Sequence, residues 1–191
     1  MSKPPFFRTL SVAGLTALMS LGLPAKAADD SANTGITIEV RNGDQAVRQF
    51  QLDEQHVVQF AGPETAHPPE LRSASQTERK QLKSLSAGTA TSSLSKAADG
   101  AQVSPVLRDA SGKPWALPGG LIVTFREAVS ETDARAQLSA AGLTPDRAIN
   151  PQVWLAKSPS GLATIELANL LNEQALFADV SPNWWTPRAL K

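Results

Sequence analysis

The side chains that could do acid–base, nucleophilic or metal-assisted chemistry are few in this sequence. The chain has two histidines, His56 and His67, and no cysteine. Transition-metal sites need clusters of His, Cys or carboxylate ligands, so this content argues against a metal site. Ser, His and Asp are all present, which leaves a catalytic triad open by composition, but no Gly-x-Ser-x-Gly motif positions a serine nucleophile. We therefore predict that the protein is not an enzyme and holds no metal or cofactor.

The charged residues do not indicate a polyanionic partner. The chain carries 18 Lys and Arg against 18 Asp and Glu, and it has no tyrosine. The basic residues are scattered, so neither a basic patch nor an aromatic stacking platform for nucleic acid is present. Gly119-Gly120 lacks the glycine spacing and the lysine of a phosphate-binding loop. We predict no nucleic-acid partner.

The residues best suited to recognition lie at the C-terminus, in the run FADVSPNWWTPRALK (177–191). Tryptophan is enriched at binding hot spots. Alternation along a final strand would point one of Trp184 and Trp185 inward and the other outward. Pro182 and Pro187 bracket a segment that cannot continue as a helix. The segment is therefore either a docking tail or a frayed terminus without function, since chain ends are often disordered.

The first 27 residues have the organisation of a secretory signal peptide. Lys3 and Arg8 precede an apolar stretch, 10–23, and Ala25-Lys26-Ala27 fits an A-x-A cleavage signal. An uncleaved anchor is the alternative, but the apolar stretch is short for a bilayer. We predict cleavage before Ala28, a mildly acidic mature protein that is periplasmic or secreted, and no membrane partner after cleavage.

The N-terminal part of the mature chain separates into two regions. Residues 28–61 predict a small β-rich module, because apolar and polar residues alternate over 36–40 and 47–52 around the turn signal Asn42-Gly43. Residues 56–60 could add a third short strand. Residues 62–102 are rich in Ser, Ala and Thr, which predicts a flexible linker. A polar helix over 75–86 is the alternative there, since Glu78 follows the capping Ser75 by three positions.

Residues 103–185 predict an α+β domain. Its pattern is a strand over 121–125, a helix from Ser130 to Gly142, a strand over 152–156, a helix over 162–174 and a strand over 177–180, with a weaker extended stretch over 143–149. The order β-α-β-β-α-β is that of the ferredoxin-like fold, in which four antiparallel strands carry two helices on one face. The predicted class is α+β, with this domain preceded by the β-rich module and followed by a tail, 186–191.

The same region resembles the propeptides of subtilisin-family proteases. GLIVTFREAVS (120–130) is similar to their opening strand and helix start, and FADVSPN (177–183) to their last strand. WLA (154–156) resembles their central strand and LANLL (167–171) their second helix. One departure is decisive: no catalytic domain follows Lys191, so we expect the propeptide-like domain to act in trans. The whole chain resembles the external chaperones of kexin-like serine proteases, which are exported and made separately from the protease.

The resemblance implies a function. In this family the open face of the propeptide sheet packs on two surface helices of the protease, and the C-terminal tail lies in the active-site cleft as an added strand. We therefore predict an exported chaperone that assists the folding of a subtilisin-family serine protease, kexin-like enzymes included, and inhibits it through the tail. The predicted protease-binding residues are Trp184, Trp185, Thr186, Pro187, Arg188, Ala189, Leu190 and Lys191. The alternative is an exported structural or adhesion module with no protease partner.

Overall fold

The computed structural model describes residues 36–43, 45–61, 68–87, 94 and 101–187. These residues belong to one compact unit, Thr34–Lys191. The described part consists of two antiparallel sheets and three helices, which confirms the α+β class. The predicted signal peptide, His67, and the tail residues Arg188, Ala189, Leu190 and Lys191 lie outside the described residues.

The first sheet has five strands. They are β1 (Thr37–Asn42), β2 (Gln45–Phe60), β3 (Glu70–Ser73), β4 (Gln102–Arg108) and β5 (Pro114–Trp115). Their order is β1-β2-β4-β5, and β3 pairs with the second half of β2. The tight β1–β2 connection contains Gly43 at φ +45°. A Cβ there would lie 2.7 Å from the carbonyl oxygen of Ala178, so both the backbone conformation and the close approach favour glycine.

Strand β2 joins two segments that the sequence pattern separates. Its register against β4 shifts between Asp53 and Val57, which marks a bulge. The Asp53 carboxylate accepts hydrogen bonds from the backbone N–H groups of Gln55 and His56 at 2.8 and 3.2 Å. The register between β2 and β4 skips these two residues, and the bonds of their N–H groups to the carboxylate let the strand continue through the bulge.

The segment predicted as a linker, 62–102, differs from that prediction over residues 70–86. It forms β3 and then α1 (Gln76–Ser86), whose capping box joins Ser75 and Glu78 in both directions. Leu82 and Leu85 are the only buried residues of α1, and they pack into the core of the first sheet. Glu78 also pairs with Arg72 on β3, with 2.7 Å between Oε1 and Nη2. Good capping and two well-placed leucines suffice for a helix that is otherwise polar.

Strands β4 and β5 belong to the first sheet, although the sequence grouped them with the C-terminal domain. Leu107 of β4 lies opposite Leu52 of β2, and Val103 lies opposite Gln59. Val103 and Leu107 are buried in the core that α1 covers. The partner of a strand is decided by these distant residues, so local pattern could place 102–115 in either sheet.

The second sheet has four strands with two helices against one face. The strands are β6 (Leu121–Thr124), β7 (Thr144–Asn150), β8 (Val153–Lys157) and β9 (Asp179–Pro182), in the order β7-β8-β6-β9. The helices are α2 (Glu131–Ala140) and α3 (Ala163–Glu173). Trp154, Leu138 and Leu171 lie in the core between sheet and helices. Every neighbouring pair of strands in this sheet is antiparallel.

The polar face of α3 attaches the second sheet to the first. Asn172 donates to the carbonyl oxygens of Arg41 and Val180 at 2.8 and 2.7 Å and accepts from the Val180 N–H at 2.8 Å. Asn169 accepts from the Arg41 N–H at 2.8 Å and donates to the Glu39 carbonyl at 2.9 Å. Two asparagines thereby satisfy the outer edges of β1 and β9, where unpaired backbone groups would otherwise remain.

Candidate docking site: the C-terminal segment and the open sheet face

The C-terminal segment runs antiparallel to residues 114–124 and so touches both sheets. In the second sheet, Asp179–Pro182 pairs with Leu121–Thr124. The pairing then continues, as the N–H of Asn183 donates to the Gly120 carbonyl at 3.0 Å. At the edge of the first sheet, Trp185 and Ala116 exchange two backbone hydrogen bonds, each 2.9 Å long. We call this pairing of 179–186 with 114–124 the C-terminal ladder.

Residues Leu117 to Gly119 form a short excursion within the ladder. Gly119 and Gly120 have φ values of +98° and +89°, which favour glycine. A Cβ on Gly119 would lie 2.8 Å from the carbonyl oxygen of Ser158. The Gly119-Gly120 pair, which the sequence excluded as a phosphate loop, therefore turns the chain from one sheet into the next.

Trp184 packs against the first sheet on the face that α1 covers. Its ring stacks on Phe50 with centroids 4.9 Å apart and an interplanar angle of 27°, and it meets Trp115 edge-on at 5.9 Å. Phe50 is only 2% exposed. An aromatic pair of this kind contributes about 0.5–1.5 kcal/mol beyond the area it buries.

Trp185 packs on the opposite face of the same sheet. Its ring meets Phe60 edge-on at 5.9 Å, beside buried Val58, Val106 and Ala116. The next residue, Thr186, donates its hydroxyl to the carbonyl of Pro114 at 3.1 Å. Consecutive side chains on opposite faces, with paired backbone between them, are the geometry of a strand. Residues 184–186 thus continue the first sheet beyond β5.

The structure therefore places the predicted site residues in two groups. Trp184 and Trp185 are half-buried against the protein's own first sheet, in contacts that the sequence did not indicate. Thr186 is bonded at the sheet edge, and both Thr186 and Pro187 are half-buried. A surface pocket of about 590 Å³ adjoins them, lined by Pro68, Pro69, Trp184, Trp185 and Thr186.

The second sheet has one face that the helices do not cover. Burial alternates along its central strands: Leu121, Val123, Trp154 and Ala156 are at most 1% exposed, while the intervening residues are only partly buried. Cross-strand register brings those intervening residues together, since Ile122 lies opposite both Leu155 and Ser181. We call this surface the open face; its residues are Ile122, Thr124, Val153, Leu155 and Ser181. Three neighbouring aliphatic side chains ringed by polar ones are suited to a protein contact.

No protein family, curated protein or solved structure matches this chain.

The ionised carboxylate of Asp109 orients Trp115, which lies on the strand beside the C-terminal segment. Asp109 accepts hydrogen bonds from the Ser111 hydroxyl at 2.5 Å and from the Trp115 indole at 2.9 Å. These two hydrogen bonds lower the pKa of Asp109 to about 2, and the bond from Ser111 has the larger effect. The Lys113 ammonium lies 4.4 Å from the Trp115 ring centroid on the same turn. The turn after β4 thereby orients Trp115 for its contact with Trp184.

His56 is engaged in a structural cluster. Its Nδ1 lies 3.0 Å from the Asp53 carboxylate, which also pairs with Arg108 at 2.6 Å. Burial raises the pKa of Asp53, but the Gln55 N–H and the Arg108 guanidinium outweigh burial, so the pKa lies below its ordinary value. The nearby hydroxyl of Ser104 is buried and accepts a hydrogen bond from the Leu117 N–H at 3.0 Å. The contacts of Asp53 hold the bulge of β2, and the bond from Leu117 to Ser104 holds the start of the Leu117–Gly119 excursion.

Within the described ranges, no three His, Asp or Glu side chains form a group that could hold a metal ion. No helix in the same part of the chain is both long and apolar enough to span a bilayer.

Proposed function

We propose that this protein is an exported chaperone that acts in trans on a subtilisin-family serine protease. It assists the folding of the protease and inhibits it by placing its C-terminal tail in the active-site cleft. The observation that carries the proposal is continuity: β9 belongs to a sheet with one uncovered face and runs on, extended, into the C-terminal segment. The signal-peptide pattern of residues 1–27 supports a periplasmic or secreted location.

The fold of the second sheet supports a propeptide-like identity. Its strand order, β7-β8-β6-β9, with α2 and α3 in the two crossovers, is what a ferredoxin-like βαββαβ domain requires. The propeptide resemblance of residues 120–130 and 177–183 falls on β6 and β9, the paired strands beside the open face. The likeness of the whole chain to the external chaperone of the kexin-like Aeromonas serine protease points the same way.

The open face is the proposed contact with the body of the protease. Its aliphatic centre, Ile122, Val153 and Leu155, would lose its remaining exposure against an apolar partner surface. A partner that binds the native protease and not the unfolded chain stabilises the native state by mass action. That is the physical basis of the proposed folding assistance.

The tail is the proposed inhibitory element. An extended segment adds to a cleft as a strand, through main-chain hydrogen bonds and alternate side chains. Because Trp184 and Trp185 pack on the first sheet and Thr186 bonds to Pro114, the proposed cleft contacts lie in residues 187–191. Lys191, like Arg188, suits a protease that prefers basic residues.

Refolding tests the proposal. A denatured subtilisin-family protease without its propeptide, refolded with the mature protein, should yield several-fold more native enzyme than refolding alone. Catalytic activity should appear only when the complex dissociates. Deletion of residues 188–191 should abolish inhibition while leaving binding and folding assistance in place, since the open face is retained.

Matched variants separate the two surfaces. Leu155→Arg should weaken binding at least tenfold, whereas Leu176→Arg, at a side chain 55% exposed outside the open face, should not. Equal behaviour of these variants would remove the open face from the proposal. If the intact protein neither binds nor refolds subtilisin or a kexin-like protease, the exported structural or adhesion module is the better account.

A further inference from the structure

The C-terminal ladder determines where the tail leaves the protein. Pairing with β6 ends at Pro182, but Asn183, Trp185 and Thr186 remain hydrogen-bonded to Gly120, Ala116 and Pro114 in turn. The tail therefore departs from the edge of the first sheet and not from the end of β9. Among the described residues, Thr186 is the last that is bonded to the first sheet, and five residues beyond it, fully extended, would reach about 17 Å.

Three kinds of contact hold this exit point. Backbone bonds join Trp185 to Ala116, which is fully buried. Aromatic contacts clamp the chain from both faces, through Phe50 on one side and Phe60 on the other. The hydroxyl of Thr186, the first residue of the tail, donates a hydrogen bond to the Pro114 carbonyl. A segment held in this way has one register against β5.

We propose that Trp184, Trp185 and Thr186 are positioning residues for the rest of the tail, residues 187–191. By fixing the chain along β5, they set which of residues 187–191 reaches the specificity pocket of the partner protease. This inference rests on the proposed function and adds a task for the first sheet, which makes no cleft contact itself. A tail whose exit is held at Thr186 loses less conformational freedom on binding than one that pivots at Pro182.

Side-chain parity gives a sharp test, because alternate residues of an added strand face opposite ways. One glycine inserted between Thr186 and Pro187 lies beyond the anchor and leaves the ladder intact. If the anchor fixes the register, the insertion should weaken inhibition of subtilisin and of a kexin-like protease at least tenfold. The same glycine inserted after Gly88, outside every described helix and strand, is the matched control and should change inhibition less than twofold.

The double variant Trp184→Ala/Trp185→Ala completes a double-mutant cycle. With the anchor released the tail can slide, so the insertion should cost less than twofold in that background. An insertion without effect in the wild-type background, or with the same effect in both backgrounds, overturns the proposal. The first comparison holds even if the double variant fails to fold, because the insertion alone leaves both tryptophans in place.

Amide hydrogen exchange, measured on the protein without a protease, distinguishes failure of the positioning proposal from failure of the proposed function. The N–H groups of Ala116 and Trp185 should exchange at least a hundredfold more slowly than free loop amides. If they exchange at loop rates, the anchor is wrong even where inhibition is found. If they are protected but neither protease is bound, the proposed function is wrong, and the positioning role fails with it.

Discussion

The two sheets differ in the origin of the residues that complete their cores. The described core of the second sheet comes entirely from residues 121–180. The first sheet, in contrast, buries Ile165 from α3 and packs Leu162 and Trp184 against the same cluster. On its other face it receives Trp185. The second sheet is therefore closed by its own sequence, whereas the first is completed by segments that come much later in the chain.

This difference has a consequence for the C-terminal segment. Two of the residues that complete the first sheet, Trp184 and Trp185, also lead into the proposed inhibitory tail. The stability of the first sheet and the placement of the tail are thus coupled through Phe50, Trp184 and Trp185. The second sheet supplies the open face, and its strand β9 leads directly into the C-terminal segment.

The largest effect should come from removing the aromatic ring at the centre of this coupling. Phe50→Ala should lower the free energy of unfolding by about 3–5 kcal/mol, as for other buried aromatic residues. Phe50 touches both Trp115 and Trp184, so the variant should also release the C-terminal segment. Urea unfolding measures the first effect, and exchange of the Trp185 amide measures the second.

Phe125→Ala is the matched change in the second sheet. Phe125 is 3% exposed and meets Phe177 edge-on at 5.4 Å, so a similar loss of stability is expected. In the Phe125→Ala variant the Trp185 amide should exchange only through global unfolding, without local release of the C-terminal segment. Equal local release of Trp185 in both variants would contradict the asymmetry between the sheets.

A smaller effect should follow from cutting the attachment that α3 provides. Asn172→Ala removes three hydrogen bonds, two of them to β9, and should lower stability by about 2 kcal/mol. Asn169→Ala removes two bonds to the more exposed β1 and should cost about 1 kcal/mol. Chemical denaturation of the two variants, with the wild type alongside, checks the order. A larger loss of stability in Asn169→Ala than in Asn172→Ala would mean that the bonds to β1 contribute more than the bonds to β9.

Acid should weaken the first sheet before the second. The Arg72 guanidinium lowers the pKa of Glu78 from 4.5 to about 2. A pKa that is lower in the folded state gives stability that is complete above pH 4.5 and is lost as the pH falls towards 2. Asp53, whose pKa is also lowered, contributes with the same sign. Amides of α1 and β3 should therefore lose protection between pH 4.5 and 2.

Glu78→Gln isolates this contribution. It retains a side chain that can cap the helix but removes the charge that pairs with Arg72. The variant should be less stable than the wild type at pH 6, and the difference should shrink towards pH 2. An unchanged gap across that range would show that the pairing with Arg72 does not govern the acid response.

The sequence predicts the helices and strands that depend on local periodicity and capping, but not the contacts between distant segments. The pattern from 121 to 180 predicts the sequence of elements in the second sheet, because each strand and helix there has its own periodicity and caps. The capping pair Ser75 and Glu78 marked α1 as an alternative for the same reason. The fold class is confirmed, while the identity of the propeptide-like domain stays a prediction.

Long-range pairing is what the pattern could not supply. Nothing local in Pro114 to Ala116 indicates that Trp185 would lie beside it. The polar face of α3 suggests exposure to solvent, yet Asn169 and Asn172 bind two strand edges. The tryptophan pair was recognised as important, but its partners, Phe50 and Phe60, lie more than a hundred residues away. Only the folded arrangement shows that these rings serve the protein's own sheet.

The smallest effect concerns a carboxylate where the two sheets approach each other. Asp179 is half-buried on β9 beside Gly43, and among the described residues its Oδ1 has no hydrogen-bond partner. Burial raises the pKa of Asp179, although a bond from Ser181 opposes the shift. A raised pKa in the folded state means that stability is full at low pH and declines as the pH rises through that value.

Asp179→Asn should therefore stabilise the protein at pH 7 by about 1 kcal/mol or less, and the gain should vanish near pH 3. Asp146→Asn, at an exposed position of β7, is the control and should change stability little at either pH. Thermal unfolding at the two pH values measures both variants. If Asp179→Asn destabilises at pH 7, the carboxylate has a partner that stabilises its charge, and the meeting of β9 with the β1–β2 turn is tighter than burial alone indicates.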